Sequence, residues 1–142
     1  MPEIGEWWTA PAIADDGRDI LVSGRSDVAS FRHNPKFKIR IEIVWAYEAQ
    51  PNGMPGDNDA EIMGQATDNL LAILHKDPVA VMTGIFTGAG ERTWVFYTLS
   101  TNIFQKKLNE ALAELPLLPL QITAENDPDW EAYQEMADFE VF

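Results

Sequence analysis

Residues 37–47, FKIRIEIVWAY, carry the clearest structural pattern in the chain. Large apolar side chains occupy the odd-numbered positions, whereas the even-numbered positions begin with Lys38, Arg40 and Glu42. Because successive side chains of a strand point to opposite faces of a sheet, this alternation predicts a β-strand with one buried and one solvated face. We expect the buried face to lie in a core formed by Ile39, Ile41, Ile43, Val81, Ile85, Phe104, Leu108 and Leu112.

The residues that follow this strand predict a helix and then a hairpin. Two prolines and two glycines end the strand, and an Asp or Asn then caps a helix whose apolar residues recur at three- and four-residue spacing. The next strand is apolar on both faces, so Met82 and Phe86 are the alternatives to Val81 and Ile85 on its core side. The predicted segments are a loop at 51–56, a helix from 57–59 to 76, a strand at 79–87, a turn at 88–91 and a strand at 92–99.

A second helix and a last strand complete the predicted core. Ser100, Thr101 or Asn102 caps the helix, whose apolar stripe runs from Phe104 to Leu115, and the last strand is predicted at 118–123. The order from residue 37 onward is therefore β-α-β-β-α-β. This order indicates an α+β fold of the ferredoxin-like type, a two-layer sandwich with two helices on one face of a four-stranded antiparallel sheet.

Shorter elements are predicted on either side of this core. Strands at 6–13 and 19–24, joined by the turn Asp15-Asp16-Gly17, would extend the sheet or cover it. Asp127 followed by Pro128 is typical of a helix start and predicts a short C-terminal helix. We therefore expect one domain with three parts: an N-terminal β extension at 1–36, the ferredoxin-like core at 37–123 and an acidic C-terminal helix at 124–142.

Composition excludes several classes of protein. The 142 residues include no cysteine, which excludes disulfide scaffolds, thiolate catalysis and cysteine-based zinc sites. The net charge of −13 argues against nucleic-acid and anionic-membrane partners, because both carry negative charge. The sequence begins without the basic and apolar regions of a signal peptide, and no apolar run is long enough to cross a membrane. A cytoplasmic location is the simplest expectation.

Charge is unevenly distributed along the chain. Six of the ten basic residues lie between Arg18 and Arg40, whereas residues 124–142 contain seven acidic residues and no basic one. One interpretation is that the two segments attract each other within a protein whose acidic surface serves solubility. The other is that the acidic segment forms a surface that binds a basic partner.

Familiar catalytic and metal-binding patterns are incomplete in this sequence. The chain has two histidines, His33 and His75, but no G-x-S-x-G motif that would supply a serine nucleophile. The glycines at 84–90 connect two strands and are not followed by the Lys of a phosphate loop. The acidic residues at 57–61 lack the glycine of a calcium loop and instead suit the first turn of a helix. We therefore predict no catalytic residue, no metal site and no cofactor.

The C-terminal segment contains candidate partner-binding residues. Trp130 and Tyr133, three positions apart, would share one face of a helix. This face either packs on the sheet and closes the core, or it is exposed as an aromatic anchor for a protein partner. If it is exposed, the partner-binding candidates are Asp129, Trp130, Glu131 and Tyr133.

The basic segment contains candidate anion-binding residues. Positively charged side chains cluster ahead of and within the strand at 37–47, and such a cluster could hold an anion. RNA is not expected as a partner, because the face that carries Lys38 and Arg40 has no aromatic residue to stack on bases and the net charge is −13. The anion-binding candidates are Arg32, His33, Lys36, Lys38 and Arg40.

Three short motifs resemble those of a known bacterial family. Residues 127–133, DPDWEAY, are similar to the D-P-x-W-x-x-Y ending of domain of unknown function family 695. The turn at 88–92, leading into Phe96-Tyr97-Thr98, resembles a second motif of that family, and residues 52–55, NGMP, resemble a third. The resemblance covers most of the chain. It implies no activity, substrate or cofactor, because the family has none established.

Three functions stay open at this point. The first is a non-enzymatic protein-interaction or regulatory domain, which the incomplete catalytic patterns favour. The second is a small-ligand or anion-binding domain that uses the open face of the sheet or the basic loop. The third is an enzyme of unknown reaction. The sequence does not indicate the oligomeric state.

Overall fold

One six-stranded antiparallel sheet and four helices form the part of the chain that the structure, a computed structural model, describes: residues 5–14 and 16–139. This architecture confirms the predicted α+β class. The strands follow the order β1-β2-β4-β5-β3-β6 across the sheet. The elements are β1 (Trp7–Ile13), β2 (Asp19–Arg25), α1 (Ala29–Arg32), β3 (Ile39–Ala46), α2 (Asp57–Lys76), β4 (Ala80–Gly88), β5 (Glu91–Thr98), α3 (Thr101–Leu112), β6 (Leu120–Asn126) and α4 (Glu131–Ala137).

Strand β3, predicted from the 37–47 pattern, lies between β5 and β6. Its residue Ile41 is opposite Phe96 of β5 on one side and Ala124 of β6 on the other. The N-terminal strands β1 and β2 extend the sheet beyond β4, which is one of the two arrangements expected for them. Of the turn predicted between them, Asp15 lies outside the described residues, and Gly17 has a φ of 88°.

Helices α2 and α3 pack on one face of the sheet and enclose the main core. Ile41 and Ile43 of β3 are buried there, as predicted, with Phe104 and Leu108 of α3. The ring of Phe104 lies 4.9 Å from that of Phe96, measured between centroids. The other predicted residues on this side are half-buried at the margin of the core: Ile39, Ile85 and Leu112.

A β-bulge in β4 decides which of its residues face this core. The register between β4 and β5 shifts between Met82 and Gly84, so the alternation of faces changes partway along the strand. Met82 and Ile85 therefore both lie on the side of the main core, whereas Val81 and Phe86 lie on the opposite face of the sheet. The prediction that Val81 faces the helices was wrong, because strict alternation does not hold across a bulge.

A second core covers part of the opposite face of the sheet. It contains Val22, Val81 and Tyr97 from the strands, and Tyr133 and Met136 from α4. The predicted two-layer sandwich is wrong in this region, where helices lie on both faces. Helix α4 packs closely on β4 because Gly84 has no Cβ: a Cβ at this position would collide with the Met136 Sδ.

Several element boundaries differ from those predicted. Gly56 precedes α2 and no side chain caps the helix, whereas the Ser100 Oγ caps α3 by accepting from the Ile103 N–H at 3.3 Å, as expected. Strand β6 begins at Leu120 and continues to Asn126, beyond the predicted end at residue 123. Helix α4 begins at Glu131, three residues after the predicted start at Pro128.

Candidate functional site

Asp127 joins the C-terminal helix to the sheet. Its carboxylate accepts hydrogen bonds from the backbone N–H groups of Glu131 at 2.9 Å and Ala132 at 3.1 Å, which are the first two residues of α4. It also accepts from the Tyr97 hydroxyl at 2.6 Å and the Arg40 guanidinium at 3.2 Å. The Asp127 side chain therefore caps the first two amides of α4, but Asp127 is not at the N-cap position predicted for it, which Trp130 occupies, and Pro128 lies in a turn ahead of the helix.

Trp130 is fully buried directly behind this cap. Its ring stacks on Tyr97 with 4.0 Å between centroids, and its indole N–H donates to the Phe37 carbonyl at 2.7 Å. Its backbone is left-handed, with a φ of 55°, which is unfavourable for a bulky side chain. Tyr133 packs edge-on against it and donates to the Arg25 carbonyl at 2.6 Å. These contacts match the interpretation in which the aromatic face closes a core.

The other two candidates in this motif, Asp129 and Glu131, are exposed. They lie on the solvent side of the turn and of the first residue of α4, while the aromatic pair lies underneath. A partner at this surface would therefore meet carboxylates and not an aromatic anchor. Of the acidic segment, Glu140 lies outside the described residues.

The predicted anion-binding residues do not present a common set of free cations. Arg40 contacts three carboxylates: Glu42 at 2.9 Å, Glu125 at 2.7 Å and Asp127 at 3.2 Å. Arg32 donates to the side chain of Gln134 at 3.0 Å and lies 5.4 Å from the ring centroid of Tyr133. The remaining three are exposed: His33, Lys36 and Lys38.

Tyr97 and Asp127 have opposite pKa shifts that fix their protonation. Burial, followed by the hydrogen bond to Asp127, raises the pKa of Tyr97 far above its usual value. Burial alone would raise the pKa of Asp127, but the hydrogen bonds from Tyr97, from the two α4 amides and from Arg40 bring it below its usual value. At neutral pH the phenol is therefore protonated and the carboxylate is ionised, an arrangement suited to structure and not to proton transfer.

This arrangement predicts a dependence of stability on acid pH. Because the pKa of Asp127 is lower in the folded than in the unfolded chain, the unfolded chain binds more protons, and stability falls as pH drops below about 3.9, the usual Asp value. Asp127→Asn should make the free energy of unfolding less dependent on pH in this range. Chemical denaturation at pH 7, 4 and 3 measures the difference. If the free energy of unfolding fell by the same amount between pH 7 and pH 3 in both proteins, the lowered pKa would not belong to Asp127.

An open groove lies beside α4 on the same face of the sheet. One cavity of about 300 Å³ has a floor of Phe86, Thr93 and Val95 and a wall that includes Met136 and Phe139. A second cavity of about 340 Å³ shares Phe86 and Thr93 with it and reaches the turns at the ends of β1 and β4. We call these two adjoining cavities the sheet groove.

Carboxylates predominate among the charged groups that line the sheet groove. Glu42 and Glu135 line the first cavity, and Asp16 and Glu91 line the second. Among the described residues that line it, the single basic one is Arg18, which forms an ion pair with Asp16 at 2.7 Å. The groove thus combines an apolar floor with an acidic rim, which suits a group that is both apolar and positively charged.

The sequence did not predict the sheet groove. Its floor comes from Phe86 and Val95, and the bulge in β4 determines that Phe86 faces it. One signal was present: Gly84 interrupts an apolar strand, and a glycine there often marks close approach of another element. That signal indicates that something packs on this face, but it does not identify α4.

The described parts of the chain, residues 5–14 and 16–139, contain no cluster of three or more His, Asp or Glu side chains placed to hold a metal ion. None of the helices found there combines the length and the hydropathy needed to cross a bilayer.

Comparison with known proteins identifies the family and nothing more specific. The model of DUF695, a family of unknown function, matches residues 6–136, so the chain belongs to this family. No curated protein and no solved structure matches the chain.

Proposed function

We propose that this member of DUF695 is a non-enzymatic protein-interaction domain whose binding site is the sheet groove. The observation that carries the proposal is the acidic rim around an apolar floor that includes Phe86 and Val95. Interfaces commonly combine an apolar centre with a polar rim of complementary charge. The partner is therefore a protein segment with Lys or Arg next to large apolar side chains.

The ionisable groups packed between α4 and the sheet lie next to the groove without lining it, and they favour a binding role over a catalytic one. Arg40 is held by three carboxylates, and Tyr97 and Asp127 are each locked in one protonation state. Catalysis by acid and base needs a group that changes its protonation near the working pH. The groove instead offers shape, apolar surface and fixed negative charge.

Labelled peptides test the proposal directly. A ten-residue peptide of alternating Lys and Leu should bind, and Glu135→Lys should weaken its affinity about tenfold, roughly 1.4 kcal/mol, because a carboxylate at the rim becomes a like charge. Glu114→Lys is the matched control, since it makes the same change of net charge at an exposed site outside the groove. Fluorescence anisotropy measures both affinities.

Equal weakening by the two variants would mean that only net charge matters and would contradict the groove as the binding site. Amide chemical shifts give a second measurement, because binding in the groove should shift Thr93 and Val95 more than residues of α3.

A small-ligand role is the second candidate. Its support is the first cavity, whose volume of about 300 Å³ is at the lower end of ordinary ligand sites. The acidic lining disfavours the anion that the basic segment suggested and favours a small amine. Saturable binding of amine fragments in the groove, with no binding of the peptide, would select this candidate.

We also propose that residues 37–126 form a ferredoxin-like core. The antiparallel order β4-β5-β3-β6, with α2 and α3 packed on one face, supports this assignment. Strands β1 and β2 and helix α4 would then be additions to that core.

A further inference from the structure

The two edges of the sheet differ in their free backbone groups. On β1, the Ala14 N–H donates to the Arg18 carbonyl, and the register pairs Ala10 with Val22, so even-numbered residues bond to β2 and odd-numbered ones point outward. Pro11 lies in the middle of that outward row and has no N–H to donate. The β1 edge is therefore interrupted in the way that natural proteins protect edge strands.

Strand β6 forms the other edge and has no such interruption. Within the described residues it pairs only with β3, and every residue from Gln121 to Asn126 is exposed. It contains no proline, glycine or lysine. Its one charged side chain, Glu125, is paired with Arg40 at 2.7 Å. Such an edge is a template for the addition of another strand.

The hydrogen-bond pattern identifies which groups are free on β6. The Asp127 N–H donates to the Lys38 carbonyl at 2.7 Å, and the register places Ile39 opposite Asn126. In an antiparallel ladder the bonding alternates, so odd-numbered residues of β6 bond to β3 and even-numbered ones point outward. The outward groups are the N–H and C=O of Ile122, Ala124 and Asn126, together with the C=O of Leu120, whose N–H donates to Leu118.

We propose that β6 pairs with β6 of a second copy of this chain, forming a dimer with one continuous twelve-stranded sheet. A two-fold axis through Thr123 overlaps the strands along their whole length, from Leu120 to Asn126. This register makes Ile122 and Ala124 a hydrogen-bonded pair and uses the outward N–H and C=O groups of both residues in each copy. Among self-pairing registers, it is the one that overlaps the two strands fully and also places even-numbered residues, whose backbone groups point outward, opposite each other.

The side chains of β6 fit this self-pairing. Thr123 is opposite Thr123 of the second copy, a pair that can form a hydrogen bond, and Gln121 is opposite Glu125. No carboxylate is opposite another carboxylate. Ile122, which is 41% exposed in the single chain, is covered in part by Ala124 of the second copy. The strand thus brings no like charges opposite each other, although each copy carries a net charge of −13.

The test is the mass of the protein in solution and the exchange of its amides. The full chain should sediment at twice 15.9 kDa at high concentration, with a dissociation constant that falls as NaCl is raised, because salt screens repulsion between the acidic copies. In the dimer, hydrogen exchange should be slow at all four amides from Gln121 to Ala124. On dilution to monomer it should accelerate only at Ile122 and Ala124.

Two variants test the interface. Ile122→Lys should raise the dissociation constant at least about tenfold, since it places a charge at the paired edge, and Ile13→Lys on β1 is the matched control that should leave it unchanged. Ala124→Pro removes one outward N–H without changing charge and should also favour monomer. Circular dichroism confirms that each variant is folded. A wild-type monomer at millimolar concentration in 0.5 M NaCl, or rapid exchange at Ile122 under those conditions, would overturn the proposal.

Discussion

Trp130→Ala is expected to lower the free energy of unfolding by about 3–5 kcal/mol, the range found when a buried Trp is removed from a core. Trp130 is 0% exposed, and its removal leaves a cavity between Tyr97 and α4 and an unpaired Phe37 carbonyl. Alanine also retains the unfavourable left-handed backbone at this position, so no relief of strain offsets the loss. Urea denaturation at pH 7 measures the change.

Trp130→Phe separates packing from hydrogen bonding. The phenyl ring still stacks on Tyr97, but the Phe37 carbonyl loses its donor, which should cost about 1–3 kcal/mol. An alanine variant as stable as the wild type would show that the residue is not part of the core. That result would favour the other interpretation of the motif, in which the aromatic face is exposed and binds a partner.

The sequence predicted the elements of this fold because their patterns are local. The alternation at 37–47 identified β3, and the Gly88–Glu91 segment identified a two-residue turn, in which Ala89 and Gly90 have φ values of 54° and 84°. Ser100 was correctly identified as a candidate cap because a helix start requires a side-chain acceptor. Each of these features depends on a few neighbouring residues and not on the rest of the chain.

The second core could not be predicted in the same way. Its position depends on contacts between residues distant in sequence, such as the 93 residues that separate Trp130 from the Phe37 carbonyl. The left-handed backbone of Trp130 is also contrary to local preference and persists because the surrounding packing fixes it. Local propensity therefore placed the start of α4 three residues too early, and it did not indicate which face of the sheet the aromatic residues would cover.

The role of the candidate binding residues also depends on contacts between residues distant in sequence. The sequence singled out Trp130 and Arg40 as candidates, but it could not distinguish residues that hold the fold together from residues available to a partner. The Arg40 side chain is 18% exposed and surrounded by carboxylates from β3, β6 and the segment after β6. The sheet groove, in contrast, is formed by residues with no motif of their own.

Asp127→Ala is expected to lower the free energy of unfolding by about 1.5–5 kcal/mol. The loss of the α4 cap accounts for about 0.5–2 kcal/mol of this, and the fully buried Tyr97 hydroxyl, left without an acceptor, for about 1–3 kcal/mol. Arg40 retains Glu42 and Glu125, so its guanidinium is not left unpaired. The loss of stability is therefore smaller than when the only partner of a buried charge is removed.

Asp129→Ala is the matched control for this prediction. It removes the same side chain two positions further on, from an exposed site, and should change stability by no more than about 0.5 kcal/mol. Urea denaturation of the two variants at pH 7 compares them directly. Because both lose one negative charge, a difference between them reports the buried hydrogen bonds of Asp127 and not the net charge. Equal stabilities would show that the carboxylate does not hold α4 against the sheet.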